Sequence, residues 1–353
     1  MHSDLKFCIV KRDFCLSSLI YTQLVLFDPG VGAPSSEYRH PNMFKMAQKK
    51  ITLLLLILPC MMCAFFLREI CDYIFTGPER RSNPFLCLQD LYGDELYALS
   101  QDYPLPYGIR NAEYGLQVVL KNMLNCEIPK EVKYEKCIVV GSGSILKNKH
   151  LGPDIDAFDV VIRLNDAPLR GYEADVGKKT TFRLFYPESY PTTNIDYDPQ
   201  TVGVIVLFKP MDIRWLINVL RKKTVNPRGF WKTPASRLFG SPSRIRILNP
   251  LILNKFNNKY LHYPQHEYKG QSVLFPTSGM IGIAMALHMC ESVSIAGFHY
   301  DFHSNDYLHY YGYIRMSYVK EMFSHDIPAE QLILQRLKQS ELISDLHELK
   351  KNI

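Results

Sequence analysis

Residues 137–144 read C-I-V-V-G-S-G-S, and residues 158–164 read F-D-V-V-I-R-L. Each is a short apolar run of the kind that forms a buried strand, and the first run ends in a glycine-rich turn. Two further apolar runs, Thr201–Phe208 and Ser292–Ala296, predict buried strands of the same kind. Apolar and basic residues alternate in Arg244–Leu248, which predicts a strand with one exposed face.

Helical patterns separate these strands along the chain. Apolar residues recur at helical spacing in Met211–Arg221, Gly279–Cys290 and Pro328–Lys338. Strands that alternate with helices predict an α/β domain with a mostly parallel central sheet flanked by helices. Ligands of such domains bind at the carboxyl ends of the strands, so the turn that begins at Gly141 is a natural place for a site.

Composition narrows the class of protein. The 353 residues are 47% hydrophobic and carry a formal net charge of +6. This hydrophobic content excludes a chain that is disordered throughout. The sequence contains no dense basic block, so it predicts no binding to nucleic acid. The mild positive charge is compatible with an anionic small substrate.

One segment near the N-terminus decides the predicted topology. Residues 51–67 contain no charged side chain. This segment is just long enough to form a membrane-spanning helix. Three lysines between residues 45 and 50 precede it, so the positive-inside rule puts the N-terminus in the cytosol. The alternatives are a buried core helix, or a signal peptide if translation starts at Met43 or Met46.

This anchor sets the predicted order of domains. Residues 1–50 form a cytoplasmic tail, 51–67 a transmembrane signal-anchor, 68–83 a short stem and 84–353 a single lumenal domain. A span this short suits the thinner bilayers of the early secretory pathway and the Golgi apparatus better than the plasma membrane. We therefore expect a single-pass type II protein of the Golgi membrane.

Cysteine and aspartate spacing bears on disulfides and metals. Five cysteines follow the predicted anchor, and in an oxidising lumen they predict two disulfides and one unpaired thiol. Cys71, beside the membrane, is the expected unpaired residue and is available to link two chains in a homodimer. None of these five has metal-ligand spacing. The aspartates in Asp154–Asp156 and Asp196–Asp198 are interpreted as turn residues, so no metal site is predicted.

The glycine turn supports two interpretations. The backbone N–H groups of Gly141–Ser144 could approach a phosphate. A Rossmann dinucleotide site would need a third glycine where Leu146 stands, and a carboxylate near Asn165. A nicotinamide-dependent oxidoreductase is therefore disfavoured, and an ordinary strand-to-helix turn remains the alternative.

Three segments later in the sequence carry polar side chains that are candidates for a functional site. Pro276–Gly279 opens an apolar helix, where its hydroxyls either cap the helix or help to bind an anion. His309 lies in the sequence H-Y-Y-G, and His325 precedes Glu330 by five residues. Taken singly, each histidine is more often a structural residue.

In their order along the chain, these pieces resemble the motifs of the animal sialyltransferases. Cys137–Ser189 is similar to the large sialyl motif of that family, and Pro276–Phe298 to the small motif. His309–Gly312 resembles the third motif, and His325 with Glu330 the very small motif. Within the large motif, F-R-L-F-Y-P-E-S is most similar to the β-galactoside α-2,3 branch.

The resemblance implies a fold and an activity for residues 84–353. The fold is a GT-A-like variant with Rossmann-like topology. The activity is inverting transfer of sialic acid from CMP-sialic acid to the 3-hydroxyl of a terminal β-galactose, without a metal or other cofactor. N-acetyllactosamine ends of glycoproteins or glycolipids are the expected acceptors, and lactosylceramide stays open. The alternative of another class is a membrane-anchored glycan- or nucleotide-binding protein that has lost turnover.

The resemblance also implies roles for individual residues. His325 is the expected base, and His309 is expected to stabilise the departing phosphate. The other expected contacts of CMP-sialic acid are Gly141, Ser142, Gly143, Asn165, Thr277, Ser278 and Gly279. The expected disulfides are Cys137–Cys290 and, by weaker resemblance, Cys87–Cys126.

Some positions depart from the family or leave two roles open. Many members have Asn where this chain has Ser142, and some have Tyr where it has Phe275, which removes a hydroxyl. Glu330 either orients the base or pairs structurally. Phe230 and Trp231 either line the substrate pocket or belong to the core.

Overall fold

The computed structural model describes residues 83–94, 96, 102–123, 125–193, 196, 198–264, 273–299, 304–317 and 325–351. They belong to one compact unit, Arg80–Ile353. The predicted tail, the signal-anchor at 51–67, Cys71 and nearly all of the stem lie outside the described residues. Among the helices that are described, none is both long enough and apolar enough to cross a bilayer.

The described residues build one parallel sheet. Its strands are β1 Lys136–Val140, β2 Val160–Leu164, β3 Phe182–Phe185, β4 Val202–Ile205, β5 Ile245–Ile247, β6 Ser292–Ala296 and β7 Ser344–Asp345. Their order is β5-β4-β3-β2-β1-β6-β7, and every neighbouring pair is parallel. The predicted α/β class with a mostly parallel sheet is therefore confirmed.

Helices connect the strands and cover both faces of the sheet. They are α1 Glu113–Leu120, α2 Gly152–Asp156, α3 Glu173–Val176, α4 Pro210–Leu220, α5 Pro250–Phe256, α6 Ser278–Met289, α7 Ile327–Gln339 and α8 Leu346–Lys351. A π-helical turn, Asn257–Leu261, continues α5. Short 3-10 turns lie at Leu88–Tyr92, Ser144–Leu146, Pro187–Ser189 and Pro242–Arg244. The three predicted helices correspond to α4, α6 and α7.

Helix α6 is the helix that matters most for the site. It packs across β1, β2, β3 and β6. Most of its side chains are buried, as its uninterrupted apolar sequence M-I-G-I-A-M-A-L predicts. Its Gly282 permits the close approach, since a Cβ atom there would lie 3.0 Å from Val139 and 3.2 Å from Leu164.

Three strands, β5, β3 and β7, differ from the sequence prediction; the two-residue strand β7 was not predicted. Residues Ile245–Ile247 of β5 are all buried, so the expected exposed face of this strand is wrong. Arg246 is buried because its guanidinium donates to the carbonyl oxygens of Glu127, Ser243 and Ile245, at 3.0, 2.7 and 3.0 Å. Strand β3 was not predicted as a strand: Arg183 divides its short sequence F-R-L-F, whereas Arg163 of β2 follows three consecutive apolar residues. Arg183 too is buried.

Both disulfides that the resemblance implies are present. Cys137–Cys290 joins the start of β1 to the end of α6, with 6.2 Å between the Cα atoms. Cys87–Cys126 ties the segment before α1 to the segment after it, with 5.2 Å between the Cα atoms. The first bridge therefore lies at the amino end of β1, opposite the glycine turn at its carboxyl end.

Candidate active site

The predicted site residues converge at the carboxyl edge of the sheet. The turn Gly141–Ser144 follows β1, and Asn165 follows β2. The amide of Asn165 donates to the carbonyl of Leu184 in β3 at 2.7 Å. The hydroxyl of Ser278, the first residue of α6, donates to the Asn165 side-chain oxygen at 3.3 Å. A residue of the large motif thus contacts a residue of the small motif across 113 positions of sequence.

The glycines of the turn are needed for close packing. The amide of Gly141 donates to the Ala296 carbonyl at 2.8 Å, and that of Gly143 to the Gly297 carbonyl at 3.1 Å. A Cβ atom at Gly141 or Gly143 would lie 2.7 or 2.5 Å from the Gly297 oxygen, where no side chain fits. These two amides already have acceptors, so the glycines shape the turn instead of offering free donors to a phosphate.

The third-motif segment runs beside this turn. His309 and Gly143 form an antiparallel bridge. On either side of it, the Tyr310 amide donates to the Ser142 carbonyl at 2.9 Å and the Ser144 amide to the Leu308 carbonyl at 3.2 Å. These bonds hold His309 against the turn that follows β1.

The environment of His309 is aromatic and half-buried. Its ring stacks on Tyr311 with 5.2 Å between the centroids. Burial lowers the pKa of His309, and the nearby carboxylate of Asp166 acts in the opposite direction. A positively charged form of His309 is therefore favoured by a neighbouring anion, such as Asp166 or a bound phosphate.

The geometry of His325 suits a general base. Its Nδ1 lies 2.8 Å from the carbonyl oxygen of Phe275. Because a carbonyl only accepts, Nδ1 carries the proton, and the Nε2 lone pair of the neutral ring is free. Burial lowers the pKa of His325, while the bond to Phe275 acts in the opposite direction. The neutral, proton-accepting form is thus favoured.

Glu330 forms no hydrogen bond with His325. Its carboxylate accepts hydrogen bonds from the amide and the hydroxyl of Thr277, at 2.7 and 2.6 Å. Burial raises the pKa of Glu330 to about 7, although the two hydrogen bonds from Thr277 act to lower this pKa. Of the two roles left open by the sequence, the structural pairing is the one observed.

Thr277 is the N-cap of α6, and backbone N–H donors lie next to it at the start of the helix. Its hydroxyl accepts from the Met280 amide at 3.3 Å as the N-cap of the helix. Within the described part of the chain, the amides of Ser278 and Gly279 have no acceptor. Such free amides at the positive end of a helix favour a bound anion.

The Phe298 ring lies close to both the glycine turn and the start of α6, although the sequence analysis did not single this residue out. A Cβ atom at Gly141 would lie 3.2 Å from its ring, and a Cβ atom at Gly279 would lie 2.7 Å from it. The ring therefore lies between the glycine turn and the start of α6. Its position just after β6, a strand that ends at this edge, is the sequence signal that could have found it.

Several other candidates have structural partners. Asp156 accepts from the amides of Lys178 and Lys179, and lies in α2 instead of a turn. Asp196 accepts from the amides of Leu169 and Arg170 at 3.0 Å each. Among the described residues, no group of three or more His, Cys, Asp or Glu side chains could hold a metal ion.

The two aromatic candidates, Phe230 and Trp231, differ in their burial. Trp231 is 73% exposed, so it does not belong to the core. Phe230 is partly buried against the apolar cluster that includes Trp215. The Lys209 ammonium lies 4.8 Å from the centroid of the Phe230 ring.

Comparison with known proteins identifies the family. The sequence model of glycosyltransferase family 29 (sialyltransferase) matches residues 89–342. The chain belongs to this family. The sialyltransferase assignment confirms the resemblance carried by the four motifs and makes the chain a glycosyltransferase.

Relatives and solved structures agree with this assignment. The chain is 43% identical over 267 residues to a type 2 lactosamine α-2,3-sialyltransferase of Mus musculus, covering 74% of this chain and 81% of the relative. It is 39% identical over 279 residues to CMP-N-acetylneuraminate-β-galactosamide-α-2,3-sialyltransferase 4 of Homo sapiens, covering 77% and 82%.

The fold is also that of solved sialyltransferases. A crystal structure of a mammalian sialyltransferase superposes with a TM-score of 0.59 at 23% identity, covering 77% of this chain and 92% of the other. A mammalian sialyltransferase in complex with Gal-beta-1-3GalNAc-ortho-nitrophenol superposes with a TM-score of 0.53 at 24% identity, covering 77% and 93%.

Proposed function

We propose that the chain transfers sialic acid from CMP-sialic acid to the 3-hydroxyl of a terminal β-galactose, with type 2 N-acetyllactosamine as the preferred acceptor. The observation that carries the chemistry is His325, whose protonated Nδ1 donates to Phe275 and leaves Nε2 as a base. The acceptor preference rests on the 43% identity to a type 2 lactosamine α-2,3-sialyltransferase.

In this proposal the donor binds at the carboxyl edge of the sheet, where the glycine turn, Asn165 and the start of α6 come together. Asn165 and the turn Gly141–Gly143, with Ser142 at its centre, bind the nucleotide. Thr277, Ser278 and Gly279 hold the phosphate and the sialic acid carboxylate at the start of α6. The free amides of Ser278 and Gly279 support this placement of an anion.

The two histidines act on opposite sides of the anomeric carbon. His325 accepts the proton of the galactose 3-hydroxyl as its oxygen forms the new bond to that carbon. The bond to the CMP oxygen breaks on the opposite face, so the configuration inverts. His309 donates a hydrogen bond to the departing phosphate, and the positive end of α6 stabilises its charge. No enzyme carboxylate forms a covalent intermediate, unlike in a retaining glycosidase.

The cellular setting is part of the proposal. Residues 51–67 anchor the chain as a type II protein of the Golgi membrane, with the catalytic domain in the lumen. Glycoproteins or glycolipids that end in galactose are its acceptors. Transfer requires no metal, and Cys71 is available to join two chains.

The test is an acceptor panel with linkage analysis of the product. The full-length chain is given CMP-sialic acid with type 1, type 2, core 1 and lactosylceramide acceptors, with and without a chelator. We expect α-2,3-linked product, fastest with the type 2 acceptor and unchanged by the chelator. Preference for lactosylceramide would redirect the acceptor assignment to ganglioside synthesis. CMP binding without transfer to any acceptor would instead identify a binding protein that has lost turnover.

A further inference from the structure

Two buried arginines lie side by side beneath the site. Arg163 of β2 and Arg183 of β3 are register partners in the sheet. Their exposed fractions are 2% and 7%. In the described part of the chain neither forms a salt bridge, and the Nη2 atom of each has no hydrogen-bond partner. Burying a guanidinium in this way costs stability, so its contacts deserve a functional explanation.

Residues 165–167, which follow β2, are called the Asn165 loop below. Only one of the two arginine side chains, that of Arg183, forms hydrogen bonds with this loop. The Nη1 of Arg183 donates to the carbonyl oxygens of Asn165 and Ala167, at 2.8 and 3.3 Å. The Nε of Arg163 donates instead to the Lys179 carbonyl and the Thr180 hydroxyl, at 2.9 and 3.1 Å. Arg183 therefore spans both ends of a three-residue loop that begins with a proposed donor-binding residue.

This loop begins in an uncommon backbone conformation. Asn165 has a φ of 54°, in the left-handed region that asparagine adopts more readily than other non-glycine residues but that is occupied only where local contacts favour it. Its amide is held by Leu184 and its side chain by Ser278. The charge-assisted bond from Arg183 fixes the remaining backbone group, the carbonyl oxygen.

We propose that Arg183 is a positioning residue for the donor: it holds Asn165 in the conformation that presents its side-chain amide to the nucleotide. This inference rests on the proposed role of Asn165 in binding CMP. It assigns Arg183 no contact with substrate. It predicts that removing the guanidinium weakens CMP binding entirely through Asn165.

Arg246 provides a matched control within the same sheet. It is also buried, at 3% exposure, and its guanidinium also donates to backbone carbonyl oxygens. It lies in β5, at the far edge of the sheet from β1 and β6. Arg246→Met therefore removes a buried guanidinium of the same kind without touching the Asn165 loop.

The experiment measures CMP affinity by calorimetry and the thermal midpoint of full-length Arg183→Met, Arg183→Lys and Arg246→Met chains. We expect both methionine variants to lose stability, but only Arg183→Met to bind CMP about tenfold more weakly. Arg183→Lys, which keeps a charged donor, recovers part of the affinity. It also serves as the readout if Arg183→Met does not fold, with a weakening of about threefold expected.

A double-mutant cycle tests the route of the effect. Asn165→Gly removes the side-chain amide and keeps the left-handed backbone accessible. In the Asn165→Gly background, Arg183→Met should weaken CMP binding by less than about twofold. Losses that multiply in the double variant, or unchanged CMP affinity in both Arg183 variants, would overturn the inference while leaving the proposed function standing. If Asn165→Gly alone binds CMP normally, the donor-site assignment fails, and the inference with it.

Discussion

At the scale of single residues, one hydrogen bond, from Nδ1 to the Phe275 carbonyl, sets the tautomer of His325, the proposed base. The carbonyl of Phe275 is held in turn by the geometry of its own segment, since the neighbouring Leu274 carbonyl accepts from the Tyr107 hydroxyl at 2.8 Å. The Phe275 ring packs edge-on against Phe208, with 5.5 Å between the centroids. A rigid acceptor therefore orients the proposed base.

Two substitutions at His325 separate positioning from proton transfer. Asn keeps an N–H donor for the Phe275 carbonyl but has no basic nitrogen, whereas Ala removes both. We expect kcat to fall by about 100-fold or more in His325→Asn and in His325→Ala, with CMP affinity within about twofold of the parent chain. Steady-state kinetics and calorimetry check this. Transfer by His325→Asn at near-parental rates would show that His325 is not the base.

At the scale of elements, hydrogen bonds between Glu330 of α7 and the N-cap of α6 connect two helices of the candidate site. Glu330 in the first turn of α7 accepts from both donors of Thr277, the N-cap of α6. Asp326 caps α7 by accepting from the Ala329 amide at 3.0 Å. His325 immediately precedes this cap, so the helix that carries Glu330 also places the base.

The raised pKa of Glu330 predicts a pH dependence of stability. With a pKa of about 7 in the folded chain against an ordinary value of 4.5, the folded state binds more protons between these pH values. The free energy of unfolding then falls as the pH rises through this window, by up to about 1.4 kcal/mol for each pH unit. Glu330→Gln, which cannot ionise, should flatten this part of the profile.

Chemical denaturation of the full-length chain at several pH values measures this dependence. The matched control is Glu348→Gln, since Glu348 is an exposed carboxylate that pairs with the partly exposed Lys338 in the same part of the fold. The control should follow the parent profile. Equal slopes for the parent and Glu330→Gln would contradict the assignment of this titration to Glu330.

At the scale of the whole molecule, one disulfide holds the sheet and α6 together. Cys137–Cys290 closes a separation of 153 residues, and Cys87–Cys126 one of 39. In the chain-entropy model these loops contribute about 5 and about 4 kcal/mol. Cys137 and Cys87 are both buried, so replacing either pair also disturbs packing, and loop length is what ranks the two bridges.

Paired substitution of each bridge by alanine tests this ranking. We expect the Cys137→Ala/Cys290→Ala chain to lose more unfolding free energy than the Cys87→Ala/Cys126→Ala chain, measured by denaturant unfolding of full-length protein. The second variant is the control for removing any one bridge. A larger loss in the Cys87–Cys126 variant would contradict the ranking.

The strands and helices with strong local patterns were predictable because their apolar residues form either an unbroken run, as in a buried strand, or a repeat at helical spacing. Four buried strands and three helices follow from apolar runs and helical spacing alone. Strand β3 and the buried face of β5 were not predictable in this way. In each of them an arginine divides a run of only three or four residues, and carbonyl oxygens, among them those of Asn165 and Glu127 from other segments, make its burial tolerable.

The sequence by itself determined the α/β class, the family through its four ordered motifs, and the site residues His309 and His325 as candidates. Only the tertiary structure decided what these residues do to one another. It paired Glu330 with Thr277 instead of His325, set the tautomer of His325 through Phe275, and showed that Gly141 and Gly143 are needed for packing against Gly297. The physical reason is that local patterns record which side chains are buried, whereas hydrogen-bond partners come from distant segments, such as Glu330 and Thr277, that meet only when the chain has folded.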